Sequence, residues 1–463
     1  MRVHLIAACG VGMSALATLL RSAGHDVTGS DEHVYPPAST LLADLGIAVL
    51  EGYDPARLDG VDLVVCGNAV RSTNAEATAA HERGLHMVSF PQALEEHFLI
   101  DRRPLVVAGT HGKTTSASML AWVLRRCGQD PGYLIGGAPP DLGPSAALGS
   151  GPWFVVEGDE YDSAYFDKEA KFLHYRPDQV LLTAVEFDHA DIYRDLDAVK
   201  AAFRKLLALL APGAPLFACG DFPHALDVVK GTHARLRTFG LDDGNVFRVA
   251  DLVDDGKTRF TVREQGRLVC RVELAVPGAI NARNALGVLL VAAEVGIPWQ
   301  EAADALGTFR GVRRRQEVVG HVRGVTVIDD FAHHPTAVAG TLAAMRLRYP
   351  GRRLRAVFEP RSNTSRRRVF QREFCQALSG ADEAVLAAVF PKAGDPLPPE
   401  EQLAPDTIVA DLERAGTPAR TLDGVEAIRD YLVGSAQTGD VIVVMSNGAF
   451  GGLPAKVVEA LGA

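Results

Sequence analysis

The sequence contains no long apolar run. None reaches about 18 residues, so no membrane-spanning helix is expected. It also lacks a basic block, and its 463 residues carry a formal net charge of -10. That balance argues against nucleic acid as the main partner and leaves room for a local anion site. The six cysteines (Cys9, Cys66, Cys127, Cys219, Cys270, Cys375) include no CxxC pair. Several sit inside apolar runs, so they read as small buried hydrophobes in a reducing compartment, not as a disulfide framework or zinc site. There is no internal repeat and no low-complexity tract. The apolar N-terminus breaks at Gly10 and Gly12, with no basic leader or cleavage site. It reads as a strand, not a signal peptide, and the expected location is cytoplasmic.

Hydrophobic residues make up 47% of the chain and charged residues 22%, an ordinary globular balance that permits large cores. The length suggests about three domains of roughly 150 residues each.

The stretch Val106 to Thr115 organises the rest. Leu105 to Ala108 reads as a buried strand, then comes Gly109-Thr110-His111-Gly112-Lys113-Thr114-Thr115. A helix follows with Ala117, Leu120, Ala121, Leu124 and Cys127 at helical spacing, closed by Gly128. Strand, glycine turn, Gly-Lys-Thr and helix form the phosphate-loop arrangement. Backbone N–H groups face a polyphosphate, Lys113 reaches its outer phosphates, and the Thr114 hydroxyl can bind Mg²⁺. The full pattern wants a glycine where Val107 stands. The plain alternative is an ordinary helix N-terminus.

Upstream, Arg2 to Ala8 reads as a strand. Gly10-Val11-Gly12-Met13-Ser14-Ala15 opens a helix, and a second strand ends in Gly29-Ser30-Asp31. This is the GxGxxA fingerprint with an acid at the end of the next strand. Alone it fits NAD, FAD or another nucleotide, or a tight turn that binds nothing. Val61 to Cys66 is another short strand. A boundary falls near Ile100 to Pro104.

Downstream, the strand Trp153 to Val156 ends in Glu157-Gly158-Asp159-Glu160-Tyr161-Asp162. The strand Val180 to Val185 ends in Glu186-Phe187-Asp188-His189-Ala190-Asp191. Acidic clusters at strand ends beside a phosphate loop suggest one or two metal ions, and Glu157 and His189 are singled out by position. Most of these charges otherwise read as solvated loop. Gly136 to Gly151 reads as a surface loop. Thr258 to Glu264 and Arg267 to Leu274 read as a hairpin. Pro277 to Asn284 leads into a helix. Asn281 falls in its N-cap region, and Asn284, one turn in, is a cap or a reader of an adenine edge.

Phe309 to Arg315 marks a second boundary. Beyond it Val325 to Ile328, Leu354 to Phe358, Ala384 to Ala388, Thr407 to Ala410 and Val441 to Val444 read as strands alternating with helices, a mostly parallel α/β domain. Its chemical residues fall at strand carboxyl ends: Asp329 to Pro335, Glu359 to Thr364, and Met445 to Gly448.

Together these segments resemble the Mur ligase family, the ATP-dependent amide ligases of peptidoglycan metabolism, over essentially the whole chain. The family's own phosphate loop also lacks the first glycine. The resemblance implies an α/β protein of three domains: residues 1–102, a Rossmann-like domain for a UDP-sugar; 103–312, a phosphate-loop ATPase-like domain; and 313–463, a Rossmann-like α/β domain for the amine or peptide substrate. It implies ATP binding through Gly109, Thr110, Gly112, Lys113, Thr114, Thr115, Asn281, Asn284, Arg314 and Asp330. It implies Mg²⁺ at Thr114, Glu157 and His189, and UDP-sugar binding through Gly10, Gly12, Ser14 and Asp31. Lys113, Arg314 and His333 are the expected catalytic residues. The base for the amine stays open between His333 and His334.

Two branches of the family compete. Gly10 to Ser14 resembles the branch that adds L-alanine to UDP-N-acetylmuramate. Ser30-Asp31 with Val34 to Pro37, Tyr161 to Lys168, Glu359 to Thr364 and Met445 to Gly448 resemble the branch that adds the tripeptide L-alanyl-γ-D-glutamyl-meso-diaminopimelate to the same acceptor. The expected partners are therefore UDP-N-acetylmuramate and that tripeptide, with Arg361 and Asn363 on the peptide. A monomer or weak dimer is expected, without nucleic acid or membrane. Two residues depart from the family pattern: Ile280 where His is usual and Phe331 where Tyr is usual. No carbamylated lysine is expected, since Phe203-Arg204 falls where it would stand.

The chemistry expected is attack of a lactyl carboxylate on the γ-phosphate, giving an acyl phosphate and ADP, then attack of a neutral amine. Three domains closing together would exclude water from the acyl phosphate. A nicotinamide oxidoreductase leaves the phosphate loop unexplained. A kinase would release ADP without an amine, and a silent sugar-binding protein would have no use for Lys113, Glu157 and His189.

Overall fold

The computed structural model describes residues 1–392 and 396–462. The chain divides into two compact units. The first comprises residues 1–186, 197–248 and 285–306; the second comprises 187–196, 249–284 and 307–463.

The first unit holds two sheets. One is five-stranded and parallel, ordered Ala48–Glu51, Asp26–Asp31, Arg2–Ile6, Leu63–Cys66, Met87–Ser89. The first strand stops at Ile6, two residues short of expectation, because Ala7 turns into a left-handed conformation (φ 65°). The helix Val11–Ser22 starts at the glycine loop and buries Met13, Leu16, Ala17 and Leu20, the face its spacing predicts.

The other sheet places Arg103–Ala108 between Trp153–Gly158 and Gln179–Leu182, all parallel. Pro215–Cys219 and Arg235–Gly240 continue it on one side and Gly132–Leu134 on the other. Trp153–Gly158, Gln179–Leu182 and Pro215–Cys219, with Leu105 to Ala108, are near-continuous apolar runs, as strands covered on both faces must be, whereas Arg235–Gly240 is buried only at its end. The stretch expected as a plain loop, 136–151, contributes a two-residue strand, Ala146–Ala147, and buries Leu142. All three tryptophans belong to this unit: Trp122 donates to the Ala305 carbonyl at 3.1 Å, Trp153 lies under the Arg103 guanidinium, and Trp299 stacks on Phe247.

The second unit holds the expected hairpin, Thr258–Glu264 with Arg267–Leu274. It also holds a six-stranded sheet ordered Glu317–Val322, Val325–Asp330, Val441–Met445, Leu354–Phe358, Glu383–Ala387, Ala419–Leu422. The first pair is antiparallel and the rest parallel. Val338, Leu342, Phe374 and Leu412 cover one face; Ile428, Leu432, Leu453 and Val457 cover the other.

One expected strand is a helix. Thr407 to Ala410 lies inside the helix Pro405–Arg414. Pro405 stands at its first turn, where a missing N–H costs nothing. Ile408 and Leu412, four residues apart, are its buried face. The edge strand is instead Ala419–Leu422, whose Arg420 and Thr421 hide it from an apolar-run reading. Among the described residues no helix is long and apolar enough to cross a membrane.

Candidate active site

The phosphate loop joins the strand Arg103–Ala108 to the helix Lys113–Arg126. Gly109 (φ 135°) and Gly112 (φ 80°) hold backbone conformations that favour glycine. A Cβ on Gly109 would overlap the Thr183 hydroxyl and the Ala184 backbone. Thr110 N–H donates to the Ala184 carbonyl at 2.9 Å, and the Thr183 hydroxyl donates to the carbonyls of Ala108 and His111. The end of the strand Gln179–Leu182 thus fixes the loop from outside. No sequence motif marked Thr183.

Lys113 Nζ donates to the Gly109 carbonyl at 2.6 Å and to both Glu160 oxygens at 3.0 and 2.8 Å. Burial works against its charge, but Glu160, Asp159 and Glu157 hold the ammonium above its ordinary value. Glu160 is fully buried and was not distinguished from its neighbours by sequence. Thr114 Oγ1 donates to Glu157 Oε1 at 2.8 Å, and Glu157 Oε2 accepts from Gly136 N–H at 2.8 Å. A hydroxyl and a carboxylate side by side are hard oxygen donors, the set that suits Mg²⁺. Thr115 lies in the first turn of the same helix.

In the amino-terminal sheet, Gly10 precedes the helix and Gly12 faces the Phe90 ring, 3.4 Å from where a Cβ would stand. Asp31 accepts backbone N–H bonds from Cys9 at 2.8 Å and His33 at 3.2 Å. Its carboxylate therefore shapes the glycine loop itself. Ser14 donates to the Val11 carbonyl at 3.1 Å.

The second unit holds the remaining expected residues. Arg314 (φ 59°) donates through Nε to Asp329 at 3.3 Å and through a terminal nitrogen to the carbonyls of Ser446 (2.9 Å) and Gly448. Phe331 lies under Arg315 (4.6 Å) and Arg314 (5.4 Å), so the ring standing where Tyr is usual packs against two guanidinium groups. Asp330 accepts from Gln316 N–H (2.8 Å) and Ala332 N–H (2.7 Å). Burial raises its carboxyl against the pull of Arg315 and these N–H groups.

Asn281 does not cap its helix, Ala279–Glu294; it sits in the first turn. Its amide nitrogen donates to the Pro277 carbonyl at 2.7 Å and to Gln316 at 2.9 Å, tying the helix start to the Arg314 segment. Asn284 is buried one turn on.

Asp188, His189, His333 and His334 gather in this unit. His333 Nδ1 donates to the Phe331 carbonyl at 3.0 Å, and its Nε2 lies 3.7 Å from Asp188. His334 accepts at Nδ1 from Thr336 N–H, which leaves Nε2–H to donate to the Phe187 carbonyl at 3.2 Å. Burial opposes the Asp188 charge, but His189, His333 and His334 hold its carboxyl well below the usual range. His189 takes a left-handed conformation (φ 55°). A helical C-cap or glycine signal does not mark it; only the motif does.

Arg361 follows the strand Leu354–Phe358. Its guanidinium lies 3.8 Å over the Phe390 ring and 3.6 Å from Glu359. A Cβ on Gly448 would overlap its side chain. Ser362 and Ser365 lock the turn through mutual bonds at 2.9 Å.

These features define a phosphate-loop enzyme with further charged residues at strand carboxyl ends of a second α/β unit. Residues 2–100 match the model of the Mur ligase family catalytic domain, 107–292 that of the Mur ligase middle domain, and 314–448 that of the Mur ligase glutamate ligase domain. The chain belongs to the Mur ligase family and is an ATP-dependent amide ligase.

Among its relatives is the UDP-N-acetylmuramate–L-alanyl-γ-D-glutamyl-meso-2,6-diaminoheptandioate ligase of Escherichia coli (strain K12), 40% identical over 464 residues, covering 100% of this chain and 98% of the relative. The UDP-N-acetylmuramate–L-alanine ligase of Paenarthrobacter aurescens (strain TC1) is 38% identical, covering 100% and 97%. A crystal structure of a murein peptide ligase from Psychrobacter arcticus 273-4 is 33% identical with a TM-score of 0.71, covering 100% of this chain and 99% of that one.

Proposed function

We propose that this enzyme joins the tripeptide L-alanyl-γ-D-glutamyl-meso-diaminopimelate to UDP-N-acetylmuramate, in peptidoglycan recycling. The observation that carries the reading is Arg361: an exposed-edge guanidinium stacked on Phe390 at a strand carboxyl end, held by a turn whose sequence is Glu-Pro-Arg-Ser-Asn-Thr. A planar cation fixed this way suits a peptide carboxylate better than it suits the side chain of L-alanine. Full-length likeness to a relative named for that tripeptide supports it.

Residues 1–102 would take the UDP-sugar through Gly10, Gly12 and Ser14, with Asp31 shaping the loop. Residues 103–312 would take ATP through Gly109, Thr110, Gly112, Lys113, Thr114, Thr115, Asn281 and Asn284. Residues 313–463 would take the peptide through Arg361 and Asn363. The lactyl carboxylate of the sugar attacks the γ-phosphate of ATP, ADP leaves, and the peptide amine then displaces phosphate from the acyl phosphate. The first step brings an anion onto an anion. Lys113 and Arg314 supply the positive charge that offsets this repulsion as charge spreads over the phosphoryl oxygens. Thr114 and Glu157, with His189, would hold Mg²⁺, which when bound neutralises phosphate charge. Asp330 orders the backbone before His333, and His333, paired with Asp188, is placed to manage the proton of the incoming amine. The enzyme acts in the cytoplasm as a monomer or weak dimer.

Phosphate release from ATP and UDP-N-acetylmuramate, with tripeptide or L-alanine as the amine, tests this. Turnover with tripeptide and little with L-alanine is expected. Turnover with L-alanine alone overturns it.

A further inference from the structure

Three loops of the second unit carry an ordered row of charge. Asp191 follows the candidate metal residue His189. Asn363 sits in the locked turn after Arg361. Lys392 follows Phe390. The Asn363 amide nitrogen donates to Asp191 and its oxygen accepts from the Lys392 ammonium. The row is fixed at its joints: Ala190 N–H donates to the Thr364 hydroxyl at 3.2 Å, and Phe390 N–H donates to the Pro360 carbonyl at 3.0 Å. Both charged ends are exposed. The Asn363 amide is oriented by an acid at one end and an ammonium at the other, so the row has one polarity.

We infer that Asp191, Asn363 and Lys392 read the amino end of the peptide, Asp191 holding its terminal ammonium and Lys392 the α-carboxylate of the second residue. Spacing selects this ligand. Two hydrogen bonds and one amide separate the two charges by about 7 Å. In L-alanyl-D-glutamate linked onward through its γ-carboxyl, the ammonium and the free α-carboxylate stand about 5–6 Å apart across one peptide unit. In free L-alanine they share one carbon and are about 3 Å apart, too close to reach both ends. The row thus separates the tripeptide from L-alanine by geometry, and its placement two residues from His189 puts the amino group, which loses a proton before it attacks, beside that residue. Lys392 and Asp191 act here as specificity residues, while Arg361 remains free for a carboxylate further along the peptide.

This inference rests on the proposed function. The test uses the full-length enzyme with saturating ATP and UDP-N-acetylmuramate. The amines are the tripeptide, the same peptide with D-isoglutamine at the second position (α-carboxamide in place of α-carboxylate), and L-alanine. The wild-type KM is expected to be about tenfold higher for the isoglutamine peptide. In Lys392→Gln the tripeptide KM rises to that same level and the two peptides become equal, while KM for ATP keeps its wild-type value. Asp191→Asn raises KM for both peptides alike. Equal wild-type KM for the two peptides, or a Lys392→Gln enzyme that still separates them, overturns the inference. Exclusive use of L-alanine by the wild type overturns the proposed function instead, a result visible before any variant is made.

Discussion

Lys113 Nζ sits between both carboxylate oxygens of buried Glu160, at 3.0 and 2.8 Å. The pair decides how the phosphate-loop cation behaves. Burial alone disfavours an ammonium, and Glu160 is the main charge that reverses it. A cation whose value is raised keeps its stabilising contribution below the ordinary ammonium value and loses it as pH rises through the raised one. In Glu160→Gln the burial penalty remains without its main counter-charge. The alkaline limb of the ATPase rate should then move to lower pH, and turnover near pH 9 should fall at least tenfold relative to turnover at pH 7. A pH–rate profile matching wild type would show that Glu160 does not govern Lys113.

Thr183 holds the phosphate loop through the carbonyls of Ala108 and His111. Thr183→Val keeps the volume and removes the donor. A net hydrogen bond is worth about 1 kcal/mol, so about 1–2 kcal/mol of stability should be lost. KM for ATP should rise several-fold while KM for the amine is unaltered. Denaturant melts and steady-state kinetics read the two effects separately.

Gly448 meets two guanidinium groups at once. Its carbonyl accepts from Arg314, and its bare Cα lets the Arg361 side chain pass. Gly448→Ala pushes Arg361 from its place over Phe390. The peptide KM should rise about tenfold with little change in melting temperature, because the obstructing atoms belong to a flexible, partly exposed side chain. An unchanged peptide KM would mean that Arg361 does not touch the peptide.

Glu383 lies in a buried set with Arg353, Arg355 and the Tyr431 hydroxyl, at 2.6 and 2.7 Å from the two arginines. Burial opposes its charge, but Tyr431, Arg355 and Arg353 hold its carboxyl below the ordinary value. A lowered carboxyl contributes stability above its unfolded value, and the contribution is lost as pH falls through the folded value. Glu383→Gln leaves buried Arg355 with only the more distant Asp440 carboxylate, at 3.5 Å, as counter-charge, a loss of about 3 kcal/mol. Wild-type stability should fall as pH drops below the ordinary carboxylate range, and the variant should be flatter there. Thermal melts across that range give the answer.

Motifs whose chemistry is local were legible in the sequence. Gly109, Gly112 and Lys113 announce themselves because glycine and Gly-Lys-Thr spacing are dictated by backbone geometry at one turn. The hairpin at Thr258–Glu264 and Arg267–Leu274 was legible for the same reason: alternation and a Gln265-Gly266 turn are short-range signals. Glu160 was not, because it is one acid among several after Trp153–Gly158, and only the folded approach of Lys113 selects it. Arg361 was legible as a residue, but its stacking on Phe390 crosses a strand and a helix and leaves no mark in spacing. Thr407 to Ala410 misled because four residues of mixed apolar character fit a strand and a helix equally. The Pro405 start and the Ile408–Leu412 interval decide for the helix.

Trp122, Trp153 and Trp299 all lie in the first unit. Indole emission from this protein therefore follows the unit with the phosphate loop and is blind to the unit with Arg314 and Arg361. An unfolding curve recorded by tryptophan fluorescence would report the state of the first unit alone. A single indole at Phe331, between Arg314 and Arg315, would give the second unit an optical signal of its own, with two cations beside the chromophore to shift it when either moves.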